Sequence, residues 1–544
     1  MKSIDHTSRN PKSEATPPSA GSASQVFISY LIFTTMLCGA LVMVIEVLGS
    51  RVLGPFFGVS LFVWTSLITV TLVALAAGYA FGGTLSDKRS DPAYLYGIIL
   101  LAGFCVLLIP IAKGIVLKAC VPFGLRTGAL VSSLVLFGPS LFLLGCVSPY
   151  IIKIAADEMR TIGKTVGIFY ALSTLGSFLG TVLTGFVLIA YLGINRIFES
   201  VALLLIVTAL IYFVFLRKQR KALFTVLLLL PLLYLRPVAL ESKVTAYGEQ
   251  ITVLFSKDTY YGSLRVVDYL PPWKTRTRVL FNDGAPQSGI DVSTGQSILG
   301  YGYFLEFIPY ALNPQGENCL VIGLGAGNIP MWYDAQGIRV DVVDINPAIV
   351  DIARNYFGFH ISGDTIVADA RYFLRSGTKK YDYVIFDVFN GDSTPGHLLN
   401  VEALRELKIR MTPRGILAMN IIGDLNGTDR GTAAIVKTLG TVFDTVEVHP
   451  VSFPEGEKDW GNLAVIAYSY PSARIQYDRV KRFPVSTNAS AEVRQNLDKV
   501  LVLADSSHDP VLSDDYNPID FYDSRIKEKT RRYYLKSTDW DVLL

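Results

Sequence analysis

The stretch Cys319-Leu320-Val321-Ile322-Gly323-Leu324-Gly325-Ala326-Gly327-Asn328, followed by Arg339-Val340-Asp341-Val342-Val343-Asp344, decides the fold. Cys319 to Ile322 is an apolar run of strand length; a glycine-rich loop, a short helical segment and a second strand come next. Such glycines let backbone approach a ligand closely at a helix N-terminus, and an acid ending the second strand can accept hydrogen bonds from ribose hydroxyls. Alone, the loop is equally a tight strand-to-helix turn; joined to Asp344 it points to a nucleoside-containing cofactor. Asn328 stands where a nicotinamide site has the last glycine of Gly-x-Gly-x-x-Gly, so an S-adenosyl cofactor fits better.

Working downstream, Asp369 follows the strand Thr365-Ile366-Val367, and Asp387 ends the strand Tyr383-Val384-Ile385-Phe386. Strands alternating with helices from residue 316 onward imply a parallel, doubly wound sheet over 316–544. Ligands in such sheets bind beyond the carboxyl ends of the strands, where Asp344, Asp369 and Asp387 would meet; each alone is also an ordinary cap or turn residue. Upstream, residues 241–315 alternate apolar and polar positions, as in Ser263 to Asp268 and Arg278 to Phe281, with Asp283-Gly284 as a turn, which predicts a small antiparallel sheet.

The first 240 residues are of another kind. The chain of 544 residues is only 17% charged, and residues 25–240 carry 15 Lys/Arg and 6 Asp/Glu, far below soluble usage. The soluble remainder holds 31 basic and 38 acidic residues, so the net +3 hides a basic membrane half and an acidic soluble half. That argues against nucleic acid, which needs clustered cations. The five cysteines and five histidines lack ligand spacing, which predicts no metal and no disulfide framework.

Residues 1–24 have the composition of a disordered tail. Charge-free runs at 15–45, 52–86, 92–112, 127–152, 165–195, 200–216 and 222–235 predict a transmembrane domain of six or seven helices over 25–240, an integral multi-pass protein of a cell or inner membrane. Basic residues gather in the tail and in alternate loops, which places the N-terminus in the cytoplasm. Seven spans export the soluble half; six with an interfacial seventh segment keep it cytoplasmic, and the sequence leaves both open. Glu46 is either functional or an interfacial partner of Arg51, and Gly78, Gly82 and Gly83 are expected at helix-packing positions.

Taken in order, Tyr260-Tyr261-Gly262-Ser263 to Asp268, Asn282-Asp283-Gly284-Ala285-Pro286-Gln287-Ser288, Gly323 to Asn328, Val343 to Pro347, Ala368-Asp369-Ala370-Arg371 and Pro413 to Leu417 resemble the successive motifs of spermidine synthases over about residues 255–425. Glu46 to Arg51, Phe57 to Ser60, Gly82 to Lys88 and the closing Leu512-Ser513-Asp514-Asp515-Tyr516-Asn517-Pro518 are similar to the membrane-fused group of that family. The resemblance implies a small β domain before a Rossmann-like domain, and aminopropyl transfer from decarboxylated S-adenosylmethionine to a polyamine such as putrescine. It implies that Gln287, Gly323, Gly325, Gly327, Asp344, Asp369 and Ala370 hold the nucleoside and that Asp387 faces the amine.

The chain departs from the family at two places. Tyr301-Gly302-Tyr303 replaces Tyr-His-Glu, and Asn390 stands where a second acid follows Asp387; Asp392, two residues on, either supplies that carboxylate or belongs to a plain turn. Tyr260, Tyr261, Tyr301 and Tyr303 either wall the amine pocket with ring faces or pack a sheet. His397 is either a proton acceptor or a loop and capping residue. The catalytic candidates are Asp387, Asp392 and Tyr261. Two further readings stand beside aminopropyl transfer: a methyltransferase using S-adenosylmethionine on another amine or a membrane-proximal substrate, and a polyamine transporter or sensor with a non-catalytic nucleoside-binding domain. The expected partners are the lipid bilayer and a small-molecule amine, with a homodimer as a candidate state.

Overall fold

In the computed structural model, residues 20–58, 61–158, 162–219, 221, 242–245, 247–388, 395–456, 458–470, 477–504 and 508–537 are described. The first part is helical: α1 (Ala20–Phe57), α2 (Leu61–Lys88), α3 (Pro92–Cys120), α4 (Gly124–Glu158), α5 (Ile162–Leu183) and α6 (Ile194–Ile211). Among the described residues, five helical stretches are long and apolar enough to cross a membrane; the third, Pro92–Ala156, doubles back at the short turn Val121–Phe123 and so contains α3 and most of α4. Two of the predicted charge-free runs, 92–112 and 127–152, thus belong to one helical hairpin. Helix α1 starts at Ala20, ahead of the boundary expected at 25, and the seventh run, 222–235, lies outside the described residues.

Two features hold this bundle together. Hydroxyls within the apolar helices donate to carbonyls one turn back, as Thr35 does to Leu31 and Ser133 to Ala129, so few polar groups are left unsatisfied in an apolar setting. Small residues let backbones meet: a Cβ on Gly78 would stand 2.3 Å from the Phe142 carbonyl oxygen, and one on Gly82 would stand 2.6 Å from Cys146 Cα, so α2 and α4 touch along this stripe. Gly83, expected in the same stripe, would meet only Pro149 Cβ at 4.0 Å. Arg51 does not pair with Glu46; its guanidinium instead donates to the Tyr260 carbonyl in the soluble part.

The soluble part opens with β1 (Ser242–Val244), β2 (Gln250–Thr259), β3 (Gly262–Leu270), β4 (Thr277–Asn282) and β5 (Ala285–Asp291), an antiparallel five-stranded sheet in sequential order. Asp283 adopts a left-handed φ of 47° and Gly284 one of 73°, the pair that a two-residue hairpin turn requires. A second sheet follows with β6 (Asn318–Ile322), β7 (Arg339–Asp344), β8 (Thr365–Val367), β9 (Tyr381–Phe386), β10 (Met411–Asp424), β11 (Thr445–Pro450) and β12 (Trp460–Tyr468), ordered β11-β12-β10-β9-β6-β7-β8. The run from β8 to β10 is parallel, as predicted, but β12 pairs antiparallel with both β10 and β11. The reversal has a local cause: β11 and β12 follow each other closely, without the crossover helix that a parallel pair needs.

The order reverses between β6 and β9, which opens a crevice at the carboxyl ends of β6, β7 and β9. The small sheet is latched over it. Arg278 donates to both oxygens of the buried Asp268 at 2.7 and 3.0 Å and to the Tyr356 carbonyl at 2.6 Å, which ties β3 and β4 to the helix after β7.

Candidate active site

The crevice is a cleft of about 470 Å³, within the size range of small-molecule sites. It is lined by Tyr261, Asn282, Gln287 and Ser288 from the small sheet, Gly323 and Gly325 from the loop after β6, Asp344 from β7, Asp369 and Ala370 after β8, and Asp387 after β9. The structure thus brings together every predicted site residue except two. Gly327 lies outside the lining: it caps the helix Asn328–Ala335 in a left-handed conformation, where a Cβ would stand 2.5 Å from the Phe359 ring. Asp392 and Asn390 lie outside the described residues.

On one side the cleft is built locally. Gly323 and Gly325 have φ of +91° and +54°; added Cβ atoms would stand 2.1 Å from the Asp387 carbonyl oxygen and 2.3 Å from Ser288 Oγ, so only glycine fits. Asp344 accepts from Leu324 N at 2.9 Å and Asn346 N at 2.8 Å. Burial raises its pKa against these two bonds, and each oxygen keeps a further lone-pair direction for a ligand hydroxyl. Asp369 caps the helix Ala370–Ser376 through Tyr372 N at 2.9 Å, and its other oxygen is 3.8 Å from His397 Nε2. His397 sits on the short turn Gly396–Leu398 and lines the cleft.

The other side is assembled from distant segments. Asp387 Oδ1 accepts from Asn420 Nδ2 on β10 at 3.0 Å, and Oδ2 accepts from the Tyr301 hydroxyl at 3.1 Å. Asn462 Nδ2 on β12 donates in turn to Asn420 Oδ1 at 2.9 Å, so three strands and the helix Gly300–Leu312 fix one carboxylate. Burial pushes the Asp387 carboxyl up to about 6, against the pull of these two bonds. Burial, then the neighbouring Asp387 charge, holds the Tyr301 phenol well above its usual range, so it stays a neutral donor.

Of the four tyrosines weighed as an amine wall, Tyr261 and Tyr301 face this site. Tyr303 packs elsewhere, accepting from Ser486 N at 3.0 Å and donating to the Ser297 carbonyl at 2.8 Å. Sequence reasoning missed Asn282, Ser288, Asn420 and Asp520. Asn420 carried a signal: it is a lone amide inside the apolar run Ile416 to Ile422 of a buried strand, where an unpartnered polar group is costly.

The lining holds four carboxylates, Asp344, Asp369, Asp387 and Asp520, and among the described residues that line it none is lysine or arginine. Such a cleft favours a cationic ligand and offers no fixed cation for an anionic one. No grouping of three or more metal-ligating side chains occurs among the described residues.

No family model matches the chain. It is 30% identical over 168 residues to an N-terminal histidine N-methyltransferase of Emericella nidulans, covering 30% of each chain, and 36% identical over 141 residues to a polyamine aminopropyltransferase of Vibrio vulnificus, covering 24% of this chain and 46% of that one. The chain therefore spans less than half the length of these curated relatives. A crystal structure of a probable spermidine synthase from Corynebacterium glutamicum aligns with 48% of this chain and 96% of that one, at 20% identity and a TM-score of 0.39. The chain is thus similar, over 24% to 36% of its length, to curated polyamine aminopropyltransferases.

Proposed function

We propose that the protein is an integral, multi-pass membrane transferase, its N-terminus cytoplasmic, that moves an aminopropyl group from decarboxylated S-adenosylmethionine to a polyamine such as putrescine. The observation that carries this reading is the cleft lined, among the described residues, by four carboxylates and no lysine or arginine. Decarboxylated S-adenosylmethionine is wholly cationic, whereas S-adenosylmethionine brings a carboxylate that this lining meets with further carboxylates.

In this reading Asp344, Asp369, Gln287, Ala370 and the backbone at Gly323 and Gly325 hold the nucleoside, while Asp387 faces the acceptor with Tyr261 along its wall. Transfer from a sulfonium is an in-line displacement: the C–N bond forms as the C–S bond breaks, and the electron pair of the latter leaves on sulfur as a neutral thioether. The amine must attack unprotonated and sheds one further proton afterwards. Asp387 is placed to orient that amine and take the proton, because its two protein donors fix its plane and its raised pKa makes it a better acceptor than an ordinary aspartate. Asp392 remains a proposed second carboxylate.

The test is calorimetry on the detergent-purified full chain with decarboxylated S-adenosylmethionine and with S-adenosylmethionine, followed by product analysis with putrescine. The expected result is tighter binding of the decarboxylated donor and formation of spermidine and methylthioadenosine. Tighter binding of S-adenosylmethionine with a methylated amine would install the methyltransferase reading; binding without turnover would leave the transporter or sensor reading in its place.

A further inference from the structure

The six helices alternate in direction, so each end of the bundle can be followed through its contacts. One end carries the soluble part. Near the end of α1, the Arg51 guanidinium donates to the Tyr260 carbonyl, and Arg531 of the C-terminal helix Ser524–Ser537 donates to the Pro55 carbonyl at 3.1 Å and the Asp283 carbonyl at 2.9 Å. At the start of α4, Gly124 lies beside the side chains of Glu528 and Arg532 from the same C-terminal helix. At the start of α6, Ile194 N donates to Asp258 Oδ2 at 3.1 Å. Arg531 is fully buried in this seam, as are the aromatic ends Phe56 and Phe57. The end of α1 and the starts of α4 and α6 therefore all face the soluble part.

The opposite end carries the start of α1 and the loops after α2, α4 and α6. It is tied together by its own ion pairs: Arg217 with Asp91 at 2.6 Å and Lys153 with Asp87 at 3.8 Å. From the sequence it bears Lys88, Arg89, Lys153, Arg160, Lys164, Arg217, Lys218, Arg220 and Lys221, nine basic residues, against five at the docked end: Arg51, Lys113, Lys118, Arg126 and Arg196. At the docked end Arg51 meets Tyr260, Lys113 donates to Asn195 Oδ1 at 2.9 Å and Arg126 lies over the Phe62 ring. At the basic end Arg217, Lys153 and Arg89 are engaged as well, so what bears on orientation is the count of Lys and Arg, nine against five, which is higher at the end away from the soluble part.

The chain path agrees. The described bundle leaves at Lys221 on the basic end, and Ser242 resumes against β2 in the soluble part. Residues 222–241 lie outside the described residues; their sequence carries only Arg236 and Glu241 as charged residues.

We propose that the soluble part, with its acid-lined cleft, lies on the non-cytoplasmic face of the membrane. Lys/Arg-rich loops stay in the cytoplasm, and the contacts at Tyr260, Asp258 and Asp283 seat the cleft on the other end of the bundle. This inference needs no turnover and stands apart from the transferase reading. Combined with that reading, it means that the cationic nucleoside donor reaches the cleft only after a transport step that delivers it across the bilayer.

The test is labelling of the full chain, expressed in a bacterial inner membrane, with a membrane-impermeant maleimide before and after lysis of spheroplasts. Trp273→Cys lies in the soluble part, at a side chain 73% exposed, and Ser90→Cys lies in the exposed loop between α2 and α3; the wild-type chain is the blank. The expected result is labelling of Trp273→Cys in intact spheroplasts and of Ser90→Cys only after lysis. Labelling of Trp273→Cys only after lysis, or of both sites in intact spheroplasts, would overturn the proposal. Alkaline phosphatase or green fluorescent protein fused after Leu544 gives an independent reading: phosphatase activity with dark fluorescent protein supports it, and the reverse refutes it.

Discussion

The two sides of the cleft are made in different ways. The side with Gly323, Gly325 and Asp344 is held by backbone amides at most two residues from an acid or one strand away. The side with Asp387 is held by Tyr301, 86 residues upstream, and Asn420, 33 residues downstream, while Tyr261 stands on a hairpin whose neighbouring carbonyl accepts from Arg51 of the apolar helix α1. A site made of neighbours keeps its form wherever its βα unit folds. A site made of distant parts exists only when the whole soluble part and the end of the bundle are in register.

The comparison is broken most severely at Asp387. With Asp387→Asn the turnover rate is expected to fall about 10²- to 10⁴-fold, the usual worth of a positioned proton acceptor, while calorimetry still finds the donor bound within a few-fold. A matching loss of donor affinity would mean that the two sides are not separable. Next comes Asp344→Ala, which strikes the local side. It removes the acceptor of two backbone amides and of the donor's hydroxyls, and donor affinity is expected to drop roughly tenfold to a hundredfold with a smaller change in saturated rate.

The pH profile sharpens the contrast further. Because burial raises Asp387, the protonated and inactive form persists to higher pH than for an ordinary aspartate, and the rate at saturating substrate should climb as pH rises through about 6. Tyr301 donates to the carboxylate and lowers its pKa, so Tyr301→Phe should move that inflection upward, with a rate loss of about tenfold or less at neutral pH. An unmoved inflection would assign it to another group. The smallest effect belongs to Arg51→Ala, which frees the turn bearing Tyr261 without touching the cleft; a rise of a few-fold in acceptor KM with donor affinity unchanged is expected from the loss of a single bond to a carbonyl.

How much could be read in advance follows the same division. The placement of the strand, glycine loop and terminal acid of β6 and β7 was legible because it rests on spacing over a few residues, and so was that of Asp369 and Asp387, as acids ending strands of one parallel sheet. Gly327 stands outside the cleft lining because the third glycine of the loop enters the helix Asn328–Ala335 against Phe359, a placement that depends on a side chain 32 residues away. Of the two readings of Glu46, the pairing with Arg51 does not form because a competing acceptor, the Tyr260 carbonyl, comes from 209 residues downstream.

By itself, then, the sequence determined the division into an apolar helical half and a soluble half, the antiparallel first sheet, the parallel run of the second, and the carboxylates at the strand ends. These depend on hydropathy, periodicity and local backbone demands, all of which act over a helix turn or a strand. Only the tertiary structure decided which tyrosine meets Asp387, that Asn420 and Asn462 lock it, and which end of the bundle carries the cleft. Those are contacts between segments far apart in the chain, and side-chain pairing at such range is set by how the packed elements meet rather than by any pattern along the chain.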